Sequence, residues 1–429
     1  MPDSSAPNPR NAPRTPPHPG PAGPGGVFLV FLRLGLTSFG GPVAHLGYFR
    51  AELVERRHWL SDAAYADLVA LCQVLPGPAS SQVGLGLGLH RAGPLGALAA
   101  WAGFTLPSAL ALALAALGVA ALDPAGDAGW LHGLKIVAAA VVAQAVWGMA
   151  RTLAPDRPRA TVALVSAAVV LLWPATGLPA TVGPLVPIGL GALAGLILCR
   201  APPPDAAGGL RIGIGRTTGA ICLGALGVLL VALPALAALA DAPAIHLADG
   251  MVRAGALVFG GGHVVLPLLQ AEVVASGLVD RESFLAGYGL AQAVPGPLFT
   301  LSAYLGTAAG TAAGTAAGAV GGATIVNGLA LGLLATVAIF VPAALLLFGT
   351  LPFWDRLRSS ASARAALTGI NAAVVGLLVA AFYDPVLTGA VGAPEHAALG
   401  LAAFLALQIW NAPPWLVVLG GAILGGLAL

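Results

Sequence analysis

Two proline-glycine-proline triplets, Pro76-Gly77-Pro78 and Pro295-Gly296-Pro297, are the residues of this sequence whose types and spacing point most directly to chemistry. Each follows a glutamine, Gln73 or Gln292, at the same short spacing. A helix cannot run through such a triplet, because each proline lacks an N–H donor and its ring collides with the preceding turn. The helix that restarts opens with unpaired backbone N–H groups and the positive end of a dipole. Hydroxyl side chains stand at both restarts, Ser80 in one and Thr300 in the other, able to cap the helix or touch a ligand. Upstream lie two glycine pairs, Gly40-Gly41 and Gly260-Gly261, which would let a second backbone approach closely. N–H groups and dipole ends gathered in this way suit an anion. For any single motif, kinking and tight helix packing are the alternative. The ordered recurrence of both motifs favours a ligand site.

Charged and titratable side chains accompany these breaks. Arg33 and Arg253 precede the glycine pairs at equivalent positions. A charge within a membrane costs at least about 2.5–3.5 kcal/mol, so each needs a partner or a task. Anion attraction or gating is one reading; snorkelling to the interface is the other. Glu52 and Glu272 are also equivalent and could carry a coupling proton, although their places near segment ends suit a solvated face better. Gln73 and Gln292 could hydrogen-bond a ligand or satisfy the broken backbone. His45 and His263 lie just past the glycine pairs, out of register with each other, and are candidates for proton handling. Asp67 is the one carboxylate this reading places within an apolar segment. No metalloprotease helix, nucleophile elbow, phosphate-binding loop or aspartate pair is present, so the sequence does not read as an enzyme.

The elements that position these residues are membrane helices. Of 429 residues, 58% are hydrophobic and 8% charged, too little polar surface to keep so long a chain in water. A span needs about 20 apolar residues. Apolar segments run over 28–49, 65–90, 93–121, 131–153, 159–175 and 182–199, then 218–240, then 249–269, 284–308, 324–348, 366–384, 397–411 and 413–429. The proline-rich residues 1–26 read as a disordered tail rather than a signal peptide. A net charge of +2 without a basic stripe gives no case for nucleic acid. Cys72, Cys199 and Cys222 lack metal or disulfide spacing.

The chain is a duplication. Arg33-x-Gly35-x3-Phe39-Gly40-Gly41 recurs as Arg253-x-Gly255-x3-Phe259-Gly260-Gly261, offset by 220 residues, and the triplets recur at an offset of 219. This divides the chain into a tail (1–26), a first repeat (27–199), a linker with an extra helix (200–240) and a second repeat (241–429). Six segments plus one would turn the second copy upside down. Loop charges agree. With the amino terminus inside, the loops holding Arg151, Arg157 and Arg159, then Arg200, Arg211 and Arg216, then Arg356, Arg358 and Arg364 are cytoplasmic. Those holding Asp123 and Asp127, Asp241 and Asp249, and Asp384 and Glu395 fall outside. The loop with Arg50, Arg56 and Arg57 fits only if its flanking segments enter and leave on one side. The expected fold is therefore an all-α polytopic membrane protein of two inverted-topology repeats. Four of its segments are broken or re-entrant hairpins, which leaves about nine full spans.

The run from Phe31 through Phe39-Gly40-Gly41-Pro42 to Tyr48, with Trp59-Leu60 and Gln73 to Pro78, resembles the chromate ion transporter family. Phe259-Gly-Gly-Gly-His-Val-Val-Leu-Pro267, with Gln292 to Pro297, resembles that family's carboxy-terminal domain. Together they cover about 28–429, as in its long two-domain form. Gly262 replaces Pro42 in the second copy, and the tail lies outside the pattern. The resemblance implies an inner-membrane secondary transporter that exports chromate, with sulfate as the look-alike competitor. It calls for no cofactor and no metal. Chromate, sulfate, the lipid bilayer and a second copy of the chain in a homodimer are the expected partners.

Overall fold

The computed structural model describes residues 23–122, 129–199, 212–240, 242–319 and 321–428. Asp123, Asp127, Arg200, Arg211, Asp241 and nearly all of the tail lie outside the described residues. Among those described there is no strand. Helix α1 spans Pro24–Thr37 and so begins inside the stretch expected to be disordered. A proline is tolerated there because the first turn has no use for its missing N–H.

Four helical hairpins turn at the breaks read from the sequence. α1 and α2 (Gly41–Phe49, continued by a π-turn over Arg50–Arg56) fold back on each other at Gly40-Gly41, which brings Phe31 and Phe49 edge to face at 5.4 Å. α3 (Asp62–Val74) meets the first arm of α4 (Ala79–Leu122) across the triplet, and a Cβ on Gly86 would lie 2.8 Å from Leu68. In the second half, α9 (Pro243–Leu257) and α10 (Val265–Leu269, continued by a π-turn over Gln270–Val274) are tied by Arg253 and Glu272 at 2.7 Å. α11 (Arg281–Ala293) and α12 (Leu301–Ala316) close around Gly287 and Tyr304. At 13 residues, α3 and α11 are about 20 Å long, short of a hydrocarbon core of about 30 Å.

Long helices surround the hairpins. α4 is not straight: Ala92 and Gly93 leave helical geometry, and Gly88 of the first arm packs on Gly96 and Ala100 of the second. The second arm, 94–122, matches α13 (Gly322–Thr350) in the other repeat. α5 (Gly129–Leu153), α6 (Arg157–Leu172) and α7 (Leu185–Leu198) follow in the first half, and α8 (Arg216–Leu239) links the halves. The short α14 (Trp354–Ser359) leads into α15 (Ala361–Ala381), and past the short α16 (Thr388–Ala390) lie α17 (Pro394–Gln408) and α18 (Pro414–Ala428). Among the described residues seven helices are long and apolar enough to cross a membrane. α17 and α18, at 15 residues each, are shorter than that, which lowers the count of about nine.

The last two helices of each half pack on the other half. Gly133 of α5 lies against Gly421 and Gly425 of α18, and Gln144 donates to the Leu407 carbonyl of α17. In reverse, Gly369 of α15 meets Gly191 and Gly195 of α7, and Gly376 meets Ala163 of α6. Small side chains let these backbones touch, and in an apolar solvent such packing, rather than water exclusion, holds helices together.

α15 also fixes where the hairpins begin. Just before it, Trp354 Nε1 donates to Asp67 at the base of the α3 hairpin, at 2.8 Å, with Arg358 at 3.4 Å. Just after it, Asp384 pairs with Arg281 at the base of the α11 hairpin, at 2.7 Å. The two bases therefore sit at opposite ends of a helix of 21 residues, about 31 Å apart. Asp249 departs from the expectation of an external loop. It lies inside α9, and its residue is 4% exposed, because Arg253 one turn later on the same helix neutralises it at 2.8 Å.

Candidate functional site

The hairpin tips meet, each on the tip from the other half. Gly77 donates its N–H to the Val258 carbonyl, just before the second glycine pair, at 2.6 Å. Gly296 donates its N–H to the Ser38 carbonyl, just before the first glycine pair, at 3.0 Å. Ser38 and Val258 are equivalent under the duplication, and so are Gly77 and Gly296. The same contact is thus made twice, once by the triplet of each half. Gly262 sits by Pro42, since a Cβ there would lie 3.4 Å from the proline ring, so the two glycine-pair tips touch as well.

Glycine is required at the triplets. Gly77 and Gly296 hold φ of +120° and +107°, strained for a side-chain-bearing residue. Their faces are also closed: a Cβ would come within 2.8 Å of Ala343 at Gly77 and 2.7 Å of Ser108 Oγ at Gly296. Ala343 and Ser108 occupy matching places just past Pro342 and Pro107 on the long helices, so each triplet tip is seated against the opposite half.

Most predicted site residues come together here. Gly40, Gly41, Pro76, Gly77, Pro78, Ser80, Gly260, Gly261, Pro295, Gly296, Pro297 and Thr300 all belong to the four tips or the helix restarts beside them. His45 joins them, with Nδ1 3.4 Å from Ser80 Oγ and its ring edge-on to Phe104. Gln292 Nε2 is buried with no protein partner. Thr300 donates its hydroxyl to the Pro297 carbonyl at 2.7 Å and so does not cap the restart. His263 turns aside to the Tyr288 hydroxyl at 2.7 Å.

Other predicted residues stay apart. Gln73 is exposed and makes no hydrogen bond that would satisfy the break. Gln82 does that work instead, donating from Nε2 to the Pro76 carbonyl at 3.0 Å and to Ala343 at 3.3 Å. Arg33 is exposed on α1, and among the described residues no carboxylate pairs with it. The solvated face expected for the two glutamates is not what forms: the side chains of Glu52 and Glu272 are 14% and 8% exposed. Glu52 turns to the base of its hairpin and pairs with Arg57 at 2.7 Å and with Arg56. Partial burial pushes its carboxyl up, but the hydrogen bonds and charges of Arg57 and Arg56 together hold it below the ordinary glutamate value. Glu272 turns inward to Arg253 at 2.7 Å, and Asp249 completes the cluster.

Several polar groups crowd the tips, and of these sequence reasoning named His45 but missed Ser38, Gln82 and Thr105. Ser38 Oγ, His45 Nε2, Ser81 Oγ, Gln82 Oε1 and Thr105 Oγ1 are buried without a protein partner. Native interiors leave few such groups, so their concentration here is a feature of the tips that simple packing does not account for. Ser38 beside the glycine pair and Ser81 beside the triplet were findable from local sequence. Thr105 and Ser108 were not, because the fold brings them from a distant helix. A cavity of about 800 Å³ between α4, α8 and α13 contains none of the tip residues; Leu89, Trp101 and Phe340 are typical of its apolar wall.

The chain matches a family model described as chromate transporter twice, over residues 25–196 and 245–426. It is 30% identical over 373 residues to a chromate transport protein of Pseudomonas aeruginosa, covering 83% of this chain and 80% of that one. A chromate transport protein of Cupriavidus metallidurans is 26% identical over 406 residues, covering 93% of this chain and 92% of that one. An uncharacterized transporter of Methanocaldococcus jannaschii is 26% identical, over 82% of each chain. No solved structure matches. The chain belongs to the chromate transporter family and is a multi-pass helical membrane protein with a role in chromate transport.

Proposed function

We propose that this member of the chromate transporter family exports chromate across the inner membrane by alternating access, and that the four converging tips are its anion site. The observation that carries the proposal is the reciprocal pair of tip contacts, Gly77 to Val258 and Gly296 to Ser38, ringed by unpartnered polar atoms. The two halves act as inverted repeats. In support, the hairpin bases lie at opposite ends of α15, with Arg56 and Arg358 at one end and Asp384 and Glu282 at the other. Placing the arginine-rich end in the cytoplasm obeys the positive-inside rule.

A neutral cradle of N–H and hydroxyl dipoles replaces part of the hydration shell of a tetrahedral oxyanion without trapping it. It discriminates poorly between chromate and sulfate, which share shape and charge, so sulfate is the expected competitor. Export follows the membrane potential: a dianion leaving a negative-inside cell gains about 2.3 kcal/mol per charge per 100 mV. Inverted membrane vesicles given radiolabelled chromate test the reading. Uptake driven by an inside-positive potential and reduced by sulfate is expected; flux no greater than in vesicles lacking the protein would refute it.

A further inference from the structure

The tips are nearly symmetric, but the charges behind them are not. In the second half, Arg253 NH2 reaches Asp249 at 2.8 Å and Glu272 at 2.7 Å, with both carboxylates under 10% exposed. Arg253 thus faces two acids in a buried place, and its single positive charge cannot balance both. A buried charge without a partner is costly, and the cheapest remedy is to bind a proton. The cluster also has unspent hydrogen-bonding capacity, since Asp249 Oδ1 and Arg253 Nε are buried without partners.

The two acids are not equivalent. Asp249 shares α9 with Arg253, one turn away, and travels with it. Glu272 belongs to the returning arm, packed against Gly250 of α9, so its bond to Arg253 latches the two arms of the hairpin together. Other ionisable groups near Glu272 are accounted for. His246, one turn before Asp249 on α9, interacts electrostatically with Asp249, whereas the charges acting on Glu272 are those of Arg253 and Asp249. At the head of α11, Arg281 is held by Asp384 and Glu282 by Lys135. The turn Ala180–Val182 that touches this arm has no ionisable side chain, and the only one on α15, Arg364, is at its opposite end.

We propose that Glu272 takes up one proton together with each anion, so that Arg253 is released from the latch and offers its guanidinium to the anion at the tips. The proton comes from water on the side from which the anion enters, binds to the Glu272 carboxyl, and leaves with the anion on the other side. Arg253 remains a cation throughout, and no covalent bond changes. An anion arriving at the unprotonated cluster meets a surplus negative charge; at the protonated cluster it meets a neutral group with a free cationic face. Linkage makes the effect mutual, so bound anion raises the proton affinity of Glu272 by the factor that the proton raises anion affinity. Transport then moves one net charge per dianion rather than two.

This inference rests on the transport reading, and its test separates the two. The purified full chain in liposomes is assayed with radiolabelled chromate in mildly alkaline buffer, with a pH dye inside. Chromate binding is expected to tighten by up to about tenfold per unit fall in pH, the limit for one linked proton, and protons should move with chromate. Glu272→Gln should bind chromate tightly at every pH and move no protons, and Glu272→Asp should restore the pH dependence. Chromate flux without proton movement in the native protein, or a persistent pH slope in Glu272→Gln, overturns the inference while leaving transport intact. If no chromate moves at all, the transport reading fails. Infrared titration then decides: a protonated-carboxyl band present in the native protein and missing in Glu272→Gln supports the proton site, and an unchanged band overturns it.

Discussion

The two halves of this protein share a backbone and differ in where they keep their charge. In the first, Glu52 turns to Arg56 and Arg57 at the hairpin base, and Arg33 stands exposed on α1. In the second, the equivalent Glu272 and Arg253 face each other inside the hairpin, joined by Asp249, whose counterpart is Leu29. The tips stayed alike while the ion pairs diverged. Tip geometry is made by backbone N–H groups and glycines, for which no substitute exists. The ion pairs are made by side chains, which can be redirected one at a time. The duplicated part is the cradle, and the electrostatic part resides in one half.

The largest effects should come from the shared geometry. Gly77→Ala and Gly296→Ala each impose a strained φ and a clash with the opposite half, costing about 2–4 kcal/mol and lowering chromate flux more than tenfold. Because Gly77 meets Ala343, adding Ala343→Gly should recover part of the loss in melting temperature and flux, whereas the same second change should do nothing for Gly296→Ala. Unequal damage from the two single variants would break the symmetry argument.

Next come the arginines. Arg253→Ala leaves two buried carboxylates without a cation and should cost about 3–5 kcal/mol, seen as a large drop in thermal stability in detergent. Arg33→Ala removes an exposed side chain and should fall within about 0.5 kcal/mol of the native protein. Equal losses would show that the halves are electrostatically alike after all. Asp67→Asn, which weakens the hold of Trp354 and Arg358 on the first base, should cost about 1–3 kcal/mol without altering the pH dependence of flux.

The smallest effect is a matter of pH. The Glu52 carboxyl is held below its ordinary value, so its contribution to stability is complete at neutral pH and is lost as the pH falls through that lowered value. Its arginine partners Arg56 and Arg57 are 52% and 35% exposed, which limits the contribution to about 0.5–1 kcal/mol. Glu52→Gln should flatten that acid limb of a melting-temperature titration and leave chromate binding at neutral pH as it was.

The breaks were legible because proline and glycine punctuate a helix locally, and because each break occurs twice. The corner in α4, at Ala92 and Gly93, falls where the sequence separates the apolar segments 65–90 and 93–121. The charge cluster was only half legible. Arg253 and Glu272 stood out by their offset from Arg33 and Glu52, but Asp249 read as a loop residue, although its spacing of four from Arg253 on one helix was the available signal. What sequence could not supply was any partner brought from the other half: Gln82 for the Ala343 carbonyl, Ser108 behind Gly296, Trp354 on Asp67. Such pairs depend on how the halves are laid together, and no local pattern encodes that.

The exchange of terminal helices, α17 and α18 onto α5, α6 and α7 onto α15, makes the outer frame a clasp. Two clasped halves cannot rock apart like the jaws of a hinge without unpicking glycine contacts along both α5 and α15. Whatever moves during a transport cycle is therefore carried inside that frame, by short hairpins whose tips hold one another through single backbone bonds.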